Sequence, residues 1–169
     1  MSLLELVVAT SLIGVVGLSF GFLYVTAQRF LIQSINLTAS QGEASFGLEH
    51  IKRRLLQAVA IANPAWPPVP PANGTLVLTN GGGTFQFTWE QSVAAGQVAC
   101  QYRLTGTTLE FQRGAAGAWE TIARGIQSVT FTRTGANVVA VEILARQTSG
   151  RDINRDTRLQ TLVTPRGIL

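Results

Sequence analysis

The sequence opens with an apolar stretch that limits what the rest of the chain can fold into. From Leu6 to Ala27, 22 consecutive residues carry no charged side chain. As an α-helix rising about 1.5 Å per residue, this stretch is roughly 33 Å long, which is enough to cross the hydrocarbon core of a bilayer. An uncharged run of this length is typical of a membrane-spanning helix. We therefore predict an apolar helix over residues 1–28.

One carboxylate does not fit a simple membrane anchor. Glu5 lies immediately before the uncharged stretch, between Leu4 and Leu6. A charged side chain is tolerated near the headgroups, but it costs about 2.5 kcal/mol or more at the centre of the bilayer. We therefore expect a cation to pair with Glu5 wherever this residue enters an apolar environment.

The residues Met1-Ser-Leu-Leu-Glu-Leu resemble the mature amino terminus of the type IV pilin and pseudopilin superfamily. Its members are made with a short basic leader that a prepilin peptidase removes, and the new first residue is N-methylated. The resemblance implies that Met1 is this processed residue, although Phe is the commonest first residue in the family. The sequence has no leader, so its numbering is interpreted as that of the processed protein. The alternative is that Met1 is an initiator methionine.

The resemblance also implies a role for Glu5 in filament assembly. In the family, this carboxylate neutralises the amino-terminal cation of a neighbouring subunit inside a helical filament. An unpaired buried charge of either sign is strongly disfavoured, so the pair fixes the axial register of the subunits. The alternative interpretation is a signal-anchor helix with an interfacial glutamate.

Three glycines, Gly14, Gly17 and Gly21, interrupt the apolar stretch. Small residues allow helices to approach closely in a bundle. Glycine also costs about 1 kcal/mol relative to alanine in a helix interior, so the helix could instead melt locally here. The resemblance to pilins points to such melting, since many bacterial pilins melt near here in the assembled fibre, but they usually carry a helix-breaking proline that this chain lacks. Ordinary glycine enrichment of membrane helices is a third interpretation.

Residues 29–63 are predicted to continue the helix as an amphipathic half. Apolar residues recur there at spacings of three and four, a pattern typical of one helix face. They are Ala44, Leu48, Ile51, Leu55, Val59 and Ala62. Glu49 is placed to pair with Arg53, and His50 is expected on the polar side near Arg54. Because Pro64 disfavours helical geometry in the residue before it, the helix should end near Asn63.

Residues 64–74 are rich in proline and predict a stiff crossover, with a partner-binding segment as the alternative. From Thr75 the hydrophobic period changes to two, and turn residues separate the candidate strands. These are Thr75–Thr79, Thr84–Trp89, Val98–Leu104, Thr107–Gln112, Trp119–Ala123, Ile126–Arg133, Val138–Gln147 and Arg158–Thr164. Residues 75–169 are therefore predicted to be an antiparallel β head domain. Its apolar positions Val139, Val141, Ile143 and Ala145 should face the helix.

This order of elements predicts an α+β chain that resembles the pilin fold, with a long N-terminal helix on an antiparallel sheet. The segments 49–58 and 159–166 resemble the group of J-type pseudopilins and W-type minor pilins. The resemblance implies a filament subunit for motility, adhesion or DNA uptake. One alternative is a J-type minor pseudopilin of a type II secretion pseudopilus, and another is a single-span anchor for a binding domain.

The implied location is the bacterial inner membrane, with a single span and the head outside the cytoplasm, and then an extracellular or periplasmic filament. The implied partners are copies of this chain and other pilins, the prepilin peptidase and the assembly platform. DNA is a weaker candidate, because a net charge of +4 comes without a nucleic-acid-binding motif.

Enzymatic activity is not predicted. The chain has one histidine and one cysteine, too few for a zinc site of its own, and we expect no metal or cofactor. Asn80-Gly-Gly-Gly lacks the lysine of a phosphate-binding loop. Asp152 and Asp156 lie among arginines, which favours a solvated loop, and the lone Cys100 should pack as a small apolar residue. The three tryptophans of the chain are expected to pack at the rim or in the core, since no polar cluster for a stacked sugar is evident beside them. They are Trp66, Trp89 and Trp119.

Overall fold

A computed structural model describes residues 2–63, 74–92, 96–134, 138–147 and 155–165. The chain divides into two compact units, Met1–Thr38 and Ala39–Leu169. The predicted crossover, apart from Gly74, and also Met1, Trp66 and Asp152 lie outside the described residues.

A single helix, α1, runs from Leu3 to Leu56. Its last turn carries Arg53 and Arg54, whose charges suit the negative end of the helix dipole. It has a continuous segment with a mean hydropathy of 2.2, of which no residue is buried, and its length and composition suffice to span a membrane.

The predicted helix end near Asn63 is wrong. A turn at Gln57 closes the helix, and strand β1 follows at Ala58–Asn63. β1 pairs antiparallel with strand β3, Phe85–Ser92, and Ala58 is fully buried. The β-branched residues Val59 and Ile61 favour an extended backbone. The restriction that Pro64 places on Asn63 is met by a strand as well as by a helix end.

All eight predicted strands are confirmed, six of them with shifts at their ends. They are β2 (Thr75–Leu78), β4 (Gly96–Thr105), β5 (Thr108–Arg113), β6 (Trp119–Ala123), β7 (Ile126–Arg133), β8 (Val139–Gln147) and β9 (Arg155–Val163), in addition to β3. Two antiparallel sheets result, one in the order β1-β3-β4-β5-β6 and one in the order β2-β7-β8-β9. The α+β class, with one long N-terminal helix and antiparallel sheets, is thus confirmed.

The core of the second unit lies between these sheets and the last turns of α1. Val139, Val141, Ile143 and Ala145 are all buried, as their alternation predicted. Phe85 of the five-stranded sheet stacks on Phe131 of the four-stranded sheet, with ring centroids 3.9 Å apart. From the helix, the buried residues are Ala44, Gly47, Ile51 and Leu55.

Glu49 and Arg53 form the predicted ion pair, with Oε1 and Nε 3.0 Å apart. The predicted position of His50 on the polar side is wrong. Its Nδ1 lies 3.0 Å from the hydroxyl of Tyr102, which is fully buried. Its ring also meets Phe111 edge-on at 5.2 Å. A half-buried histidine therefore holds the end of α1 against the five-stranded sheet.

This environment predicts a loss of stability at mildly acidic pH. Burial, then the charge of Arg54, lowers the pKa of His50 from its ordinary value of 6.5, while Glu120 on β6 opposes the shift and Arg53 adds to it. As the pH falls below 6.5, the unfolded state binds more protons than the folded state, so the free energy of unfolding should decrease. Melting of the full chain in detergent micelles, followed by circular dichroism, measures this.

The matched control for this prediction is His50→Gln, which keeps a polar partner for Tyr102 but does not titrate. His50 is the only histidine in the chain. Hydrogen bonds from arginine or lysine side chains hold the pKa values of Glu49, Glu110 and Asp156 below their ordinary values, so these carboxylates titrate at lower pH. An equal slope between pH 5 and 6.5 in both proteins would contradict the role of His50.

Candidate functional site

Glu5 begins helix α1 together with Ser2. The backbone N–H of Ser2 donates to Oε2 of Glu5 at 2.8 Å, and the backbone N–H of Glu5 lies 3.3 Å from the Ser2 hydroxyl oxygen. This reciprocal arrangement is a capping box, which satisfies two backbone donors at the start of a helix. Its Ser-x-x-Glu spacing is a signal that the sequence itself contains. Glu5 thus has a structural role within its own chain.

The polar side chains of the uncharged stretch are also satisfied within the helix. The hydroxyls of Thr10, Ser11, Ser19 and Thr26 each donate to the backbone carbonyl four residues earlier, at 2.8–3.0 Å. In an apolar environment, a polar group without a hydrogen bond costs several kcal/mol, about 2–7 by transfer estimates. Because these hydroxyls bond internally, the helix surface can enter lipid or a bundle of other helices without that cost.

Every large hydrophobic side chain between Leu3 and Ile35 is exposed. The exposed set includes Phe30, Leu31, Ile32 and Ile35, which lie beyond the predicted boundary at residue 28. The compact unit likewise ends at Thr38. The first fully buried residue of α1 is Ala44, which belongs to the second unit.

This boundary predicts how truncated chains should behave. A chain that begins at Ala39 should be soluble and monomeric, whereas a chain that begins at Arg29 should self-associate through the four exposed apolar residues at positions 30–35. Size-exclusion chromatography with light scattering distinguishes the two states. A monomeric chain from Arg29 onward would instead support the predicted boundary at residue 28.

The three glycines of the apolar stretch lie on an open surface. A Cβ atom built at Gly14, Gly17 or Gly21 would meet nothing within 4 Å, and α1 is unbroken across them. Contacts within the chain therefore give no reason for glycine at these positions. A neighbouring helix at close range would give one.

Among the described residues, no group of three or more His, Cys, Asp or Glu side chains is placed to hold a metal ion. Cys100 is buried, and desolvation raises the pKa of its thiol. Asp156 pairs with Arg146 through two oxygens, at 2.8 and 3.2 Å. Asn80 and its glycines form the turn between β2 and β3, where the Asn80 side chain accepts from the backbone of Gly106 at 2.8 Å.

Trp119 differs from its predicted setting, because a polar cluster does lie beside it. The guanidinium carbon of Arg103 is 3.8 Å from the centre of a Trp119 ring, and Arg103 pairs with Glu110 at 2.6 Å. Thr105 donates to the same carboxylate at 2.9 Å. Alternate positions on β4, β5 and β6 place these side chains on one face of the sheet. Which of them become neighbours depends on the strand register, which the sequence does not show.

No protein-family model, curated protein or solved structure matches this chain. Its function therefore has to be inferred from the properties of the described residues.

Proposed function

We propose that this chain is a structural subunit of an extracytoplasmic type IV pilus-like filament, held in the inner membrane by α1 before assembly. The observation that carries the proposal is the uncharged segment Leu6–Ala27, in which every residue is exposed, with Glu5 immediately before it. In this proposal the filament consists of copies of this chain and other pilins, and it serves motility, adhesion or DNA uptake.

The exposed helix surface supports this proposal because it suits two apolar environments in turn. Burial of apolar surface contributes about 25 cal/mol per Å², so the nineteen exposed large hydrophobic side chains from Leu3 to Ile35 favour removal of this surface from water. Lipid provides one apolar environment and a bundle of similar helices provides the other. The internally bonded hydroxyls suit both environments, while the open glycines favour the bundle.

Glu5 is the residue that distinguishes a filament subunit from a single-span membrane anchor. In the membrane, Glu5 lies at the start of the helix, where its carboxylate can remain near the headgroups. In a filament the same end of the helix enters an apolar core, and an amino-terminal cation of a neighbouring subunit would neutralise the carboxylate. A single-span anchor has no such requirement. Detection of this chain in fibres sheared from cells tests the proposal, and its confinement to the membrane fraction would contradict it.

Processing provides a separate prediction. If a prepilin peptidase produces the first residue, mass spectrometry of the native protein should find Met1 with an added N-methyl group. A retained leader or a formylated Met1 would contradict processing. The control is the same protein prepared from a strain that lacks the prepilin peptidase. Its chain should carry the leader and no methyl group.

A further inference from the structure

The outer face of the five-stranded sheet carries a row of amide side chains. Gln86, Gln101 and Gln112 occupy paired positions on β3, β4 and β5. Nε2 of Gln86 donates to Oε1 of Gln101 at 3.1 Å, and Nε2 of Gln101 donates to Oε1 of Gln112. Nε2 of Gln112 then donates to the carbonyl of Gly117. These bonds fix the orientation of each amide in the row.

A cleft of about 240 Å³ lies beside this row. The amide side chains of Gln86 and Gln101 line one part of it, and Thr88 and Ala99 line the next. The backbone N–H of Gly114 donates to the carbonyl of Ala99 at 2.7 Å, which holds the loop after β5 at the border of the cleft. Phe87, Cys100 and Ala115 complete the lining.

The hydrogen-bonding groups left over in this cleft are complementary to hydroxyls. Gln86 uses both N–H groups, on Thr84 and Gln101, and its Oε1 accepts no hydrogen bond from the described residues. Gln101 uses one N–H and retains the other. The acceptor and the donor belong to adjacent strands, whose backbones lie about 5 Å apart. They match neighbouring hydroxyl groups, each of which can donate and accept.

The lining also limits the charge and size of the ligand. None of the described residues that line the cleft carries a carboxylate, guanidinium or ammonium group. Burial raises the pKa of the Cys100 thiol, although the charges of Arg54 and Arg113 oppose that shift. The volume is below the roughly 300–1,000 Å³ of sites for drug-sized molecules, so it suits a single ring. Both edges of β3 are paired, which excludes an added peptide strand here.

From these observations we propose that the cleft beside Gln86 and Gln101 binds one neutral sugar ring. The amides and Thr88 meet the hydroxyls, and Ala99 and Ala115 meet the apolar face of the ring. This site does not depend on filament assembly, so either proposal can fail while the other holds.

The test is a titration of the full chain in micelles of a detergent without a sugar headgroup. Glucose, galactose and N-acetylglucosamine are the probes, and the side-chain amide signals of the glutamines are followed by NMR. We expect saturable shifts for at least one of the three, with a millimolar dissociation constant. Glucuronate should bind more weakly, because none of the described residues that line the cleft carries a positive charge. Absence of saturable binding by all three neutral sugars, or tighter binding of glucuronate, would overturn the proposal.

Variants connect the binding to this cleft. Gln101→Ala should weaken binding about tenfold, as expected for a lost hydrogen-bonding partner. Gln160→Ala, on the exposed face of the other sheet, is the matched control and should bind like the wild type. Because Gln101→Ala could disturb the row of glutamines, a second variant leaves the row intact. Ala115→Phe, at an exposed position in the loop after β5, should fill the cleft. Unchanged binding in a folded Ala115→Phe protein would overturn the proposal.

Discussion

Glu5→Ala should leave the amount of chain in the membrane near normal and reduce the yield of sheared filaments by roughly a hundredfold or more. In the membrane, loss of the carboxylate removes a charge from the edge of an apolar stretch, so insertion should tolerate it. In the proposed filament, the substitution leaves a neighbour's amino-terminal cation unpaired in an apolar core. Removal of one partner of a buried ion pair costs about 3–5 kcal/mol, which corresponds to that loss.

The capping box makes it necessary to separate two roles of Glu5. Alanine removes both the charge and the bond from the Ser2 backbone, which measures 2.8 Å. Glu5→Gln keeps an acceptor for that bond, since Gln also serves in capping boxes, but it removes the charge. Ser2→Ala removes the hydroxyl of the cap and keeps the charge. We expect filament loss in Glu5→Gln and near-normal filaments in Ser2→Ala.

Membrane immunoblots beside sheared-filament yields measure these outcomes for all three variants. If Glu5→Gln assembles normally while Ser2→Ala does not, the cap and not the ion pair is what assembly requires. Normal filaments from Glu5→Ala would remove the main reason to distinguish this chain from a single-span anchor.

The strands of the head were predictable because their signals are local. Alternation with a period of two and glycine-rich turns separate them, and Trp119–Ala123 and Ile126–Arg133 have the predicted ends. β1 was not predictable in this way. Its residues Ala58–Asn63 fit a helical spacing and an extended one equally well, and the backbone of β3 decides between the two. Tertiary pairing overrides the local pattern at this point.

In the candidate site, too, features that depend on neighbouring residues were predictable, whereas contacts between residues far apart in the sequence were not. Glu5 and the glycines were found from their positions in an apolar run, and the capping box follows from a four-residue spacing. The setting of His50 depends on Tyr102, which is 52 residues away and on another element. The glutamine row likewise exists only through the registers of β3, β4 and β5. The proposed partners of α1 are other molecules, so neither the sequence nor the fold of one chain identifies them.

The glycines of α1 in the second unit provide a sharp test of how the helix packs on the sheets. A Cβ atom at Gly47 would lie 3.2 Å from Cβ of Ala123 and 3.4 Å from side-chain carbons of Ile143 and Leu109. One built at Gly42, five residues earlier on the same helix, would meet nothing within 4 Å. Only at Gly47 does the approach of the helix to the strands require the absence of a side chain.

Gly47→Leu should therefore destabilise the head by about 1–3 kcal/mol or more, because the added atoms must displace buried neighbours. Gly42→Leu has no such neighbours, and relief of the glycine penalty should leave stability unchanged or raise it by up to about 1 kcal/mol. Melting of both full-length variants in the same micelles measures the difference. Similar melting temperatures for the two would mean that α1 does not pack on β5, β6 and β8 at Gly47. A lower value for Gly47→Leu alone is the expected result, since helix propensity, which is the same at both positions, cannot produce it.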